Sequence, residues 1–326
     1  MHPGLTALVE VEDLHVHFGP ARAVDGASLR VLPGEVLALV GESGSGKTTL
    51  IRAIQGLQKP TSGTVTVEGK PLDAGRRREI QTIFQNPAVQ MVFQDPTGAL
   101  NPRQTIYEIV AEGLRIHGQP SDEKERIAQA LSRAGLRPPE RFFQFYPHEI
   151  SGGQRQRVVI AGAMVMEPRL LLADEPVASL DASIRGEILA LMRGLVDDTG
   201  LAILVVTHDL GLAWNIADRV AVMYLGRIVE TGPTEQILSD PRHPYTRALL
   251  SVVPETREMD QQILRGEIPD PARIPSGCRF HPRCPLFQSE TLSPEVAARC
   301  PADDPGPVAA GAISAAACWA VLEPAD

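Results

Sequence analysis

The chain has 326 residues, of which 43% are hydrophobic and 22% charged, enough for a main domain with a large buried core plus an appendage. Its formal net charge of -9 argues against nucleic acid as the main partner, because an acidic surface repels the phosphate backbone. No apolar run reaches the roughly 18 to 20 residues of a membrane-spanning helix, and the N-terminus lacks the features of a secretory signal, so we expect a cytosolic chain.

The N-terminal part of the sequence predicts a buried strand that runs into a glycine-rich loop. Residues Val36–Val40 (VLALV) are short and entirely apolar, which is typical of a strand in a parallel sheet. The sequence GESGSGKT follows at Gly41–Thr48, and we predict a helix from Lys47 to about Gly56. The alternating residues Thr64–Gly69 (TVTVEG) predict a further strand that ends in a turn.

The second half of the predicted main domain alternates strands with a helix. Leu170–Ala173 and Ala202–Thr207 are apolar runs that predict buried strands, and a helical span around Ile184–Val196 separates them. Strands that alternate with helices imply a parallel sheet covered on both faces. Between about residues 96 and 150 the sequence is charged and favours helix, with Ser121 or Asp122 as the expected cap of one helix. After about residue 240 the chain is rich in proline, alanine and cysteine and loses its periodicity.

A short segment of the chain is repeated. The sequences IQTIFQNP (Ile80–Pro87) and VQMVFQDP (Val89–Pro96) are offset by nine residues, and tandem duplication is the simplest explanation. The repeat leaves two glutamines, Gln85 and Gln94, as candidates for one role.

The glycine-rich loop has the composition of a triphosphate-binding site. Its glycines let the backbone N–H groups point inward at phosphate oxygens, and the following helix adds its positive end. Lys47 can reach the outer phosphates, and the Thr48 hydroxyl can bind Mg²⁺. We therefore expect ATP to contact Gly41, Ser43, Gly44, Ser45, Gly46, Lys47, Thr48 and Thr49.

Three further residues lie where such a sheet binds its ligands, at the carboxyl ends of predicted strands. Asp174 is expected to hold Mg²⁺, and Glu175 to polarise a water molecule aimed at the terminal phosphate. His208 ends the Ala202–Thr207 strand and is expected to contact that phosphate.

A second phosphate-binding end is predicted at Ser151, Gly152, Gly153 and Gln154 (SGGQ), which begin a helix. A serine hydroxyl, uncovered backbone amides and the helix dipole together favour an anion.

In combination, these motifs resemble the ABC ATPase superfamily over roughly residues 9–254. The resemblance implies an α/β fold: a P-loop ATPase with a RecA-like parallel sheet core, an antiparallel β subdomain and a helical signature subdomain. It implies that Ser151–Gln154 serves the nucleotide of a neighbouring ATPase, that Phe18 stacks on adenine and that Asp181 links two composite sites. It also implies that Gln94 rather than Gln85 contacts Mg²⁺ and faces the membrane partner, because GALNPR follows only the second copy. Gly162 departs from the family pattern, where arginine is usual.

The C-terminal part of the sequence indicates which branch of the superfamily the chain resembles. Residues 240–250 (DPRHPYTRALL) and 277–285 (GCRFHPRCP) are similar to the C-terminal extension of dipeptide and oligopeptide importer ATPases. All four cysteines lie in this part: Cys278, Cys284, Cys300 and Cys318. Their spacing matches neither a zinc ribbon nor a ferredoxin, and it leaves metal binding and free thiols open. The resemblance favours a [4Fe-4S] cluster, with zinc or free thiols as the alternatives.

The expected domains are an ABC nucleotide-binding domain at 1–240, with its helical subdomain at about 97–166, and a loop-rich extension with cysteines at 241–326. The expected function is the ATP-hydrolysing subunit of an importer for dipeptides, oligopeptides or related solutes, bound peripherally at the cytoplasmic face of a bacterial membrane. Its partners would be two transmembrane permeases, a second ABC ATPase in a heterodimer and an extracytoplasmic solute-binding protein. The alternatives are an importer of nickel or another non-peptide solute, and a soluble ABC ATPase.

Overall fold

The computed structural model describes residues 6–72, 88–93, 95–119, 121–253, 264, 266–309, 312 and 314–322. Its strands are β1 Val9–Phe18, β2 Ala21–Val31, β3 Val36–Val40, β4 Ser62–Val67, β5 Lys70–Pro71, β6 Val89–Val92, β7 Leu170–Asp174, β8 Ala202–Thr207, β9 Arg219–Tyr224, β10 Arg227–Pro233 and β11 Ala315–Ala316. Its α-helices are α1 Lys47–Ile54, α2 Pro96–Ala99, α3 Ile106–Ile116, α4 Glu123–Arg133, α5 Gly152–Met164, α6 Ala182–Thr199, α7 Leu210–Ile216, α8 Thr234–Ser239, α9 Pro244–Leu250, α10 Pro285–Gln288, α11 Pro294–Ala302 and α12 Trp319–Leu322.

These elements form two compact units. The first contains residues 1–32, 37–75 and 207–326, and the second contains residues 33–36 and 76–206. The predicted α/β fold, with a parallel sheet, an antiparallel sheet and cysteines in the C-terminal region, is confirmed.

The first unit contains an antiparallel sheet in the order β2-β1-β4-β5. Every second residue at the start of β1 is buried, which is the alternation expected of a strand with one covered face. In the same unit β3 pairs in parallel with β9, from Leu37 opposite Arg219 to Val40 opposite Val222. Strand β9 forms an antiparallel pair with β10, and β10 pairs with β11 at the far end of the chain.

An aromatic core in the first unit fixes the C-terminal region to the β9 strand. The rings of Tyr224, Tyr245 and Phe280 lie within 4.7 to 5.4 Å of one another between centroids. All three side chains are fully buried. Each such ring pair stabilises the folded state by about 0.5–1.5 kcal/mol in addition to the contribution from buried apolar area. The extension is therefore packed into the unit that carries the glycine-rich loop.

The second unit combines parallel strands with a helical core. Strands β6, β7 and β8 pair in parallel, and β7 and β8 are buried along their whole length because both faces of the sheet are covered. Helices α3, α4 and α5 enclose a separate apolar cluster in which Val110, Leu114, Leu131 and Val158 have no exposed surface.

The helical core shows how local sequence sets helix ends. Thr105 begins α3 with a capping box: its hydroxyl accepts from the Glu108 N–H at 3.3 Å, and its own N–H donates to the Glu108 carboxylate at 2.8 Å. At the start of α4, Asp122 occupies the cap position, as one of the two predicted alternatives. Its side chain makes no capping hydrogen bond, however, because its backbone is left-handed at φ 55°.

Gly162 generates a prediction about stability. It lies within α5, and a Cβ atom added there would meet nothing within 4 Å. Gly162→Ala should therefore raise the free energy of unfolding by about 0.5–1 kcal/mol, since glycine loses more backbone entropy than alanine on folding. Urea unfolding of the full chain measures this change.

Gly153, in the same helix, is the matched control. A Cβ atom there would lie 2.8 Å from Cγ2 of Ile184, which is too close without a shift of that side chain. Gly153→Ala should give no gain in stability or a loss. An equal gain in both variants would contradict the packing described for this helix.

Candidate functional site

The glycine-rich loop between β3 and α1 is shaped by two close backbone approaches. A Cβ atom at Gly41 would lie 2.2 Å from the carbonyl oxygen of Met223, and one at Gly46 would lie 2.2 Å from that of Ala23. Gly46 is also left-handed, at φ 106°, where it begins α1. Only glycine fits these two positions, so the loop keeps one shape that leaves Ser43 and Gly44 exposed.

The Lys47 side chain folds back onto the glycine-rich loop and binds its backbone. Its Nζ donates to the carbonyl oxygens of Gly41 at 2.7 Å and Glu42 at 2.8 Å, and it lies 3.4 Å from the Ser45 hydroxyl. The side chain is 6% exposed although it carries a charge. Its amine therefore lies within the loop, and its contact with phosphate stays a prediction. Thr48 and Thr49 follow in the first turn of α1 and are half-buried.

Two more predicted residues lie in the same unit. Phe18 is the last residue of β1, and its ring is 50% exposed, which leaves it accessible for stacking on a flat ligand. His208 directly follows β8 and is exposed. The next residue, Asp209, caps α7 by accepting from the Leu212 N–H at 3.2 Å.

The second unit carries the acidic pair. Asp174 is the last residue of β7 and is 8% exposed, and Glu175 follows it at the carboxyl end of the strand. The Glu175 N–H donates to the carbonyl oxygen of Val206 at 2.9 Å, and its φ is 47°. Glu68, Glu167 and Glu290 have a similar left-handed backbone, so this conformation does not single out Glu175. The two carboxylates are oxygen ligands of the kind that Mg²⁺ prefers.

The predicted second phosphate-binding end also lies in this unit. Ser151 caps α5 through a capping box with Gln154: its hydroxyl accepts from the Gln154 N–H at 3.2 Å, and its N–H donates to the Gln154 amide oxygen at 3.0 Å. Ser151 and Gly152 are exposed. Asp181, at the start of α6, is exposed as well and makes no capping hydrogen bond with its side chain.

Both glutamines of the repeated segment, Gln85 and Gln94, lie outside the described residues. The structure does describe Val89–Val92 of the second copy, which forms β6 and pairs in parallel with β7, Val89 opposite Leu170. The second copy therefore occupies a sheet strand that ends two residues before Gln94.

All four cysteines of the C-terminal region line one pocket, together with His281, Phe280 and Trp319. The chain returns to this pocket twice after Cys284. The Cys278 N–H donates to the carbonyl oxygen of Cys300 at 2.8 Å, and Cys318 follows the short strand β11. The cysteine spacing alone did not predict this convergence, but the resemblance to importer ATPases did, because a cluster held by all four cysteines requires them to lie together.

The positions of the four thiols can be compared with those required by a zinc ion and by an iron–sulfur cluster. None of the four is in a disulfide, and no three of these described sulfur atoms lie within 4.8 Å of one another. A tetrahedral zinc site, with Zn–S distances of about 2.3 Å, brings its ligands closer together than this. Four thiols around one pocket match the number and kind of ligands that a [4Fe-4S] cluster takes.

Burial makes these thiols poor acids on their own. It raises the pKa of Cys278 to about 12 and that of Cys318 to about 11, and it raises the pKa values of Cys284 and Cys300 as well. Thiolates in this pocket therefore need a bound cation.

A polar cluster on β1 and β2 was not predicted from the sequence, because its members belong to no recognised motif. His15 Nδ1 lies 3.0 Å from Asp25 Oδ1, and His17 Nε2 lies 3.3 Å from the same atom. Arg279 of the C-terminal region, which is buried, also pairs with Asp25. Burial alone would raise the pKa of Asp25, but the hydrogen bond and charge of Arg279, with the two histidines, hold it well below its usual range. Its carboxylate is already neutralised by Arg279, which weakens it as a metal ligand.

Within the part of the chain that the structure describes, no helix is both long and apolar enough to cross a membrane.

Two family profiles match the chain. The ABC transporter profile matches residues 24–178, and the profile of the oligopeptide/dipeptide transporter C-terminal region matches residues 229–290. Together they cover the glycine-rich loop, the acidic pair and the first two cysteines.

Relatives are similar over nearly the full chain. The oligopeptide transport ATP-binding protein OppF of Salmonella typhimurium is 43% identical over 304 residues, covering 87% of this chain and 90% of that protein. The oligopeptide transport ATP-binding protein AppF of Bacillus subtilis is 42% identical over 275 residues, covering 82% and 83%.

Solved structures share the fold. CbiO1 of Clostridium perfringens, part of the ABC transporter complex CbiONQ, aligns with a TM-score of 0.66 at 33% identity over 72% of this chain and 91% of its own. The ATP-binding cassette MJ0796, solved as a dimer in a post-hydrolysis state with ADP and Pi, aligns with a TM-score of 0.61 at 29% identity over 69% and 98%.

Proposed function

Because this chain belongs to the ABC transporter family, among its oligopeptide transport ATP-binding proteins, we propose that it hydrolyses ATP to drive the import of oligopeptides or dipeptides into a bacterial cell. The assignment of peptides as the transported solute is supported by residues 229–290, which match the profile of the oligopeptide/dipeptide transporter C-terminal region. This region is part of the nucleotide-binding machinery, because the Tyr245 hydroxyl accepts a hydrogen bond from the Glu42 N–H in the glycine-rich loop at 2.9 Å.

The glycine-rich loop binds the phosphates of ATP. Its exposed backbone N–H groups and the N-terminal end of α1 attract the negative charge, and Lys47 exchanges its contacts with loop carbonyls for phosphate oxygens. Mg²⁺ supplies charge neutralisation between the outer phosphates when it is bound. Thr48 and Asp174, with Gln94, would hold it. Phe18 packs its exposed ring against the adenine.

Glu175 acts on the attacking water. Its carboxylate accepts a hydrogen bond from that water and orients it in line with the terminal phosphate, and His208 contacts the same phosphate. The position of Glu175 supports this role, because it directly follows Asp174 at the carboxyl end of β7, where parallel sheets bind their ligands.

The exposed start of α5 supports an assembly of two ATPases. Ser151 and Gly152 present a capped helix end to solvent, and this end serves the nucleotide of a second ATPase, with Asp181 near the junction. We propose that the second ATPase is a different, related chain. Two transmembrane permeases and an extracytoplasmic solute-binding protein complete the importer, and this chain lies at the cytoplasmic face of the membrane.

The cysteine pocket is the site of a [4Fe-4S] cluster in this proposal. Cys278, Cys284, Cys300 and Cys318 supply four thiolates, as many as such a cluster requires. When bound, the cluster would cross-link the four thiolates through iron–sulfur bonds and would supply a one-electron redox centre in an apolar surrounding.

Glu175→Gln should retain ATP binding and lower the hydrolysis rate at least about 100-fold, because the amide cannot polarise water. Phosphate release measures hydrolysis, and a fluorescent ATP analogue measures binding. Glu167→Gln is the matched control, since Glu167 is also a left-handed glutamate, at φ 51°, and should keep normal turnover. Near-normal turnover of Glu175→Gln would contradict the catalytic role.

The same variant tests the importer. Tagged Glu175→Gln protein with ATP, purified in mild detergent, should bring down two multi-spanning permeases, a second ATPase and a solute-binding protein that binds peptides. A solute-binding protein that binds nickel would overturn the peptide cargo. Soluble partners alone would overturn the importer itself.

Gln94→Ala should reduce peptide uptake by the assembled importer more than Gln85→Ala does. The second copy provides β6, so Gln94 follows a strand of fixed register. Uptake in vesicles measures the difference. The reverse ranking would assign the role to the first copy.

Full-length protein purified without oxygen should contain about four iron atoms per chain and absorb visible light as a [4Fe-4S] protein does. Cys300→Ser should lose both signals, because each of the four cysteines is a ligand. His281→Gln is the control: this histidine lines the pocket but is not needed as a ligand, so iron should be retained. One zinc ion per chain, or no metal, would contradict the proposal.

A further inference from the structure

The segment between Cys278 and Cys284 contains two arginines, Arg279 and Arg283, that do not line the cysteine pocket. Arg279 is 6% exposed and Arg283 is 5% exposed. A buried guanidinium is costly unless it is paired, so the partners of these side chains are part of the architecture. Arg279 pairs with Asp25 on β2 and donates to the carbonyl oxygen of Leu225 at 2.7 Å.

Arg283 pairs with the glycine-rich loop itself. Its Nη1 and Nη2 donate to the two carboxylate oxygens of Glu42 at 2.9 and 3.1 Å, so the contact is bidentate. Bidentate arginine–carboxylate pairs fix both position and orientation. The guanidinium also lies 5.9 Å from the ring centre of Tyr224, within the aromatic core.

Glu42 is therefore fixed by the C-terminal region at two points. Its carboxylate is bound by Arg283, and its N–H donates to the Tyr245 hydroxyl at 2.9 Å. Its carbonyl oxygen accepts from Lys47 at 2.8 Å. The residue that follows Gly41 in the phosphate-binding loop thus takes its orientation from residues about 200 positions further along the chain.

The negative charge of Glu42 means that its pairing with Arg283 affects the affinity for ATP. A carboxylate within a loop that binds a triphosphate repels the ligand unless the charge is neutralised, and the repulsion is strong where water is partly excluded. The Arg283 guanidinium is the group that neutralises it.

We infer that Arg283 is a positioning residue for the phosphate-binding loop, which neutralises and orients Glu42 and so makes ATP affinity depend on the cysteine segment. Arg283 does not touch ATP in this scheme and acts through Glu42. Because Arg283 directly precedes Cys284, the geometry of the cysteine pocket determines where its guanidinium lies. The effect of a metal group in the cysteine pocket on ATP affinity rests on the cluster proposed above, whereas the role of Arg283 does not.

Arg283→Gln in the full-length chain should weaken binding of a fluorescent ATP analogue about tenfold. The loss should shrink at high salt, where the exposed Glu42 carboxylate is screened. Adding Glu42→Gln to this variant should restore most of the affinity, because no uncompensated carboxylate then remains in the loop. A purely structural role for Arg283 would give no such rescue.

Two further variants separate positioning from folding. Arg283→Lys keeps the charge but loses the bidentate contact, so its affinity should lie between those of the natural chain and Arg283→Gln. Arg299→Gln is the matched control: Arg299 also precedes a cysteine, but it pairs with Asp303 and stacks over Trp319 at 3.5 Å. It should leave ATP affinity unchanged. Thermal unfolding of every variant verifies the fold.

The cysteine link has its own test. Chelation of the metal from the natural chain should weaken ATP-analogue binding several-fold, and the Arg283→Gln, Glu42→Gln double variant should show no such response. Equal loss in both chains would overturn the link through Arg283. A chain without metal would contradict the proposed cluster while leaving the Arg283–Glu42 result intact. Unchanged affinity in Arg283→Gln, or failure of Glu42→Gln to rescue it, would overturn the inference.

Discussion

The close backbone packing of the glycine-rich loop is the constraint on which the nucleotide site depends. Carbonyl oxygens of Met223 and Ala23 approach Gly41 and Gly46 so nearly that an added Cβ atom would lie 2.2 Å away. Strand β9, which supplies Met223, is paired to β3 in a fixed register. The loop shape is therefore set by the sheet beside it and by the glycines, and the position of Lys47 follows from the loop shape because its amine binds loop carbonyls.

Elements that bury both faces could be predicted from the sequence, because their apolar runs leave a continuous signal. The strands at Val36–Val40 and Ala202–Thr207 were predicted to the residue, and that at Leu170–Asp174 within one residue. The helix after the loop was predicted to extend to Gly56, two residues beyond its end at Ile54. Strands β1, β2, β9 and β10 were not predicted. Strand β1 alternates between buried and more exposed residues, and register shifts interrupt its pairing with β2, which weakens its pattern in the sequence. Strands β9 and β10 are buried along almost their whole length, so for these two strands burial does not explain the missed prediction.

Contacts between distant parts of the chain were beyond sequence reasoning for a different physical reason. The loop of GESGSGKT was predicted from local composition, whereas the partners of Glu42 lie more than 200 residues away and need the folded aromatic core to bring them near. For the cysteines, the family resemblance predicted one shared site, but it did not show what brings them together: β11 pairs with β10, Ala316 opposite Glu230, and this pairing places Cys318 at the pocket formed by the earlier three. Spacing along the chain records none of this.

The C-terminal region is consequently more than an appendage to an ATPase. Its aromatic side chains complete the core beside β9, and its residues Tyr245 and Arg283 complete the surroundings of Glu42. Were this region removed, the Glu42 carboxylate would lose its counter-charge, and Tyr224 would lose the two aromatic rings that cover it. A negative side chain in the phosphate-binding loop and the arginine that neutralises it are therefore best regarded as one unit, although they lie 241 positions apart in the sequence.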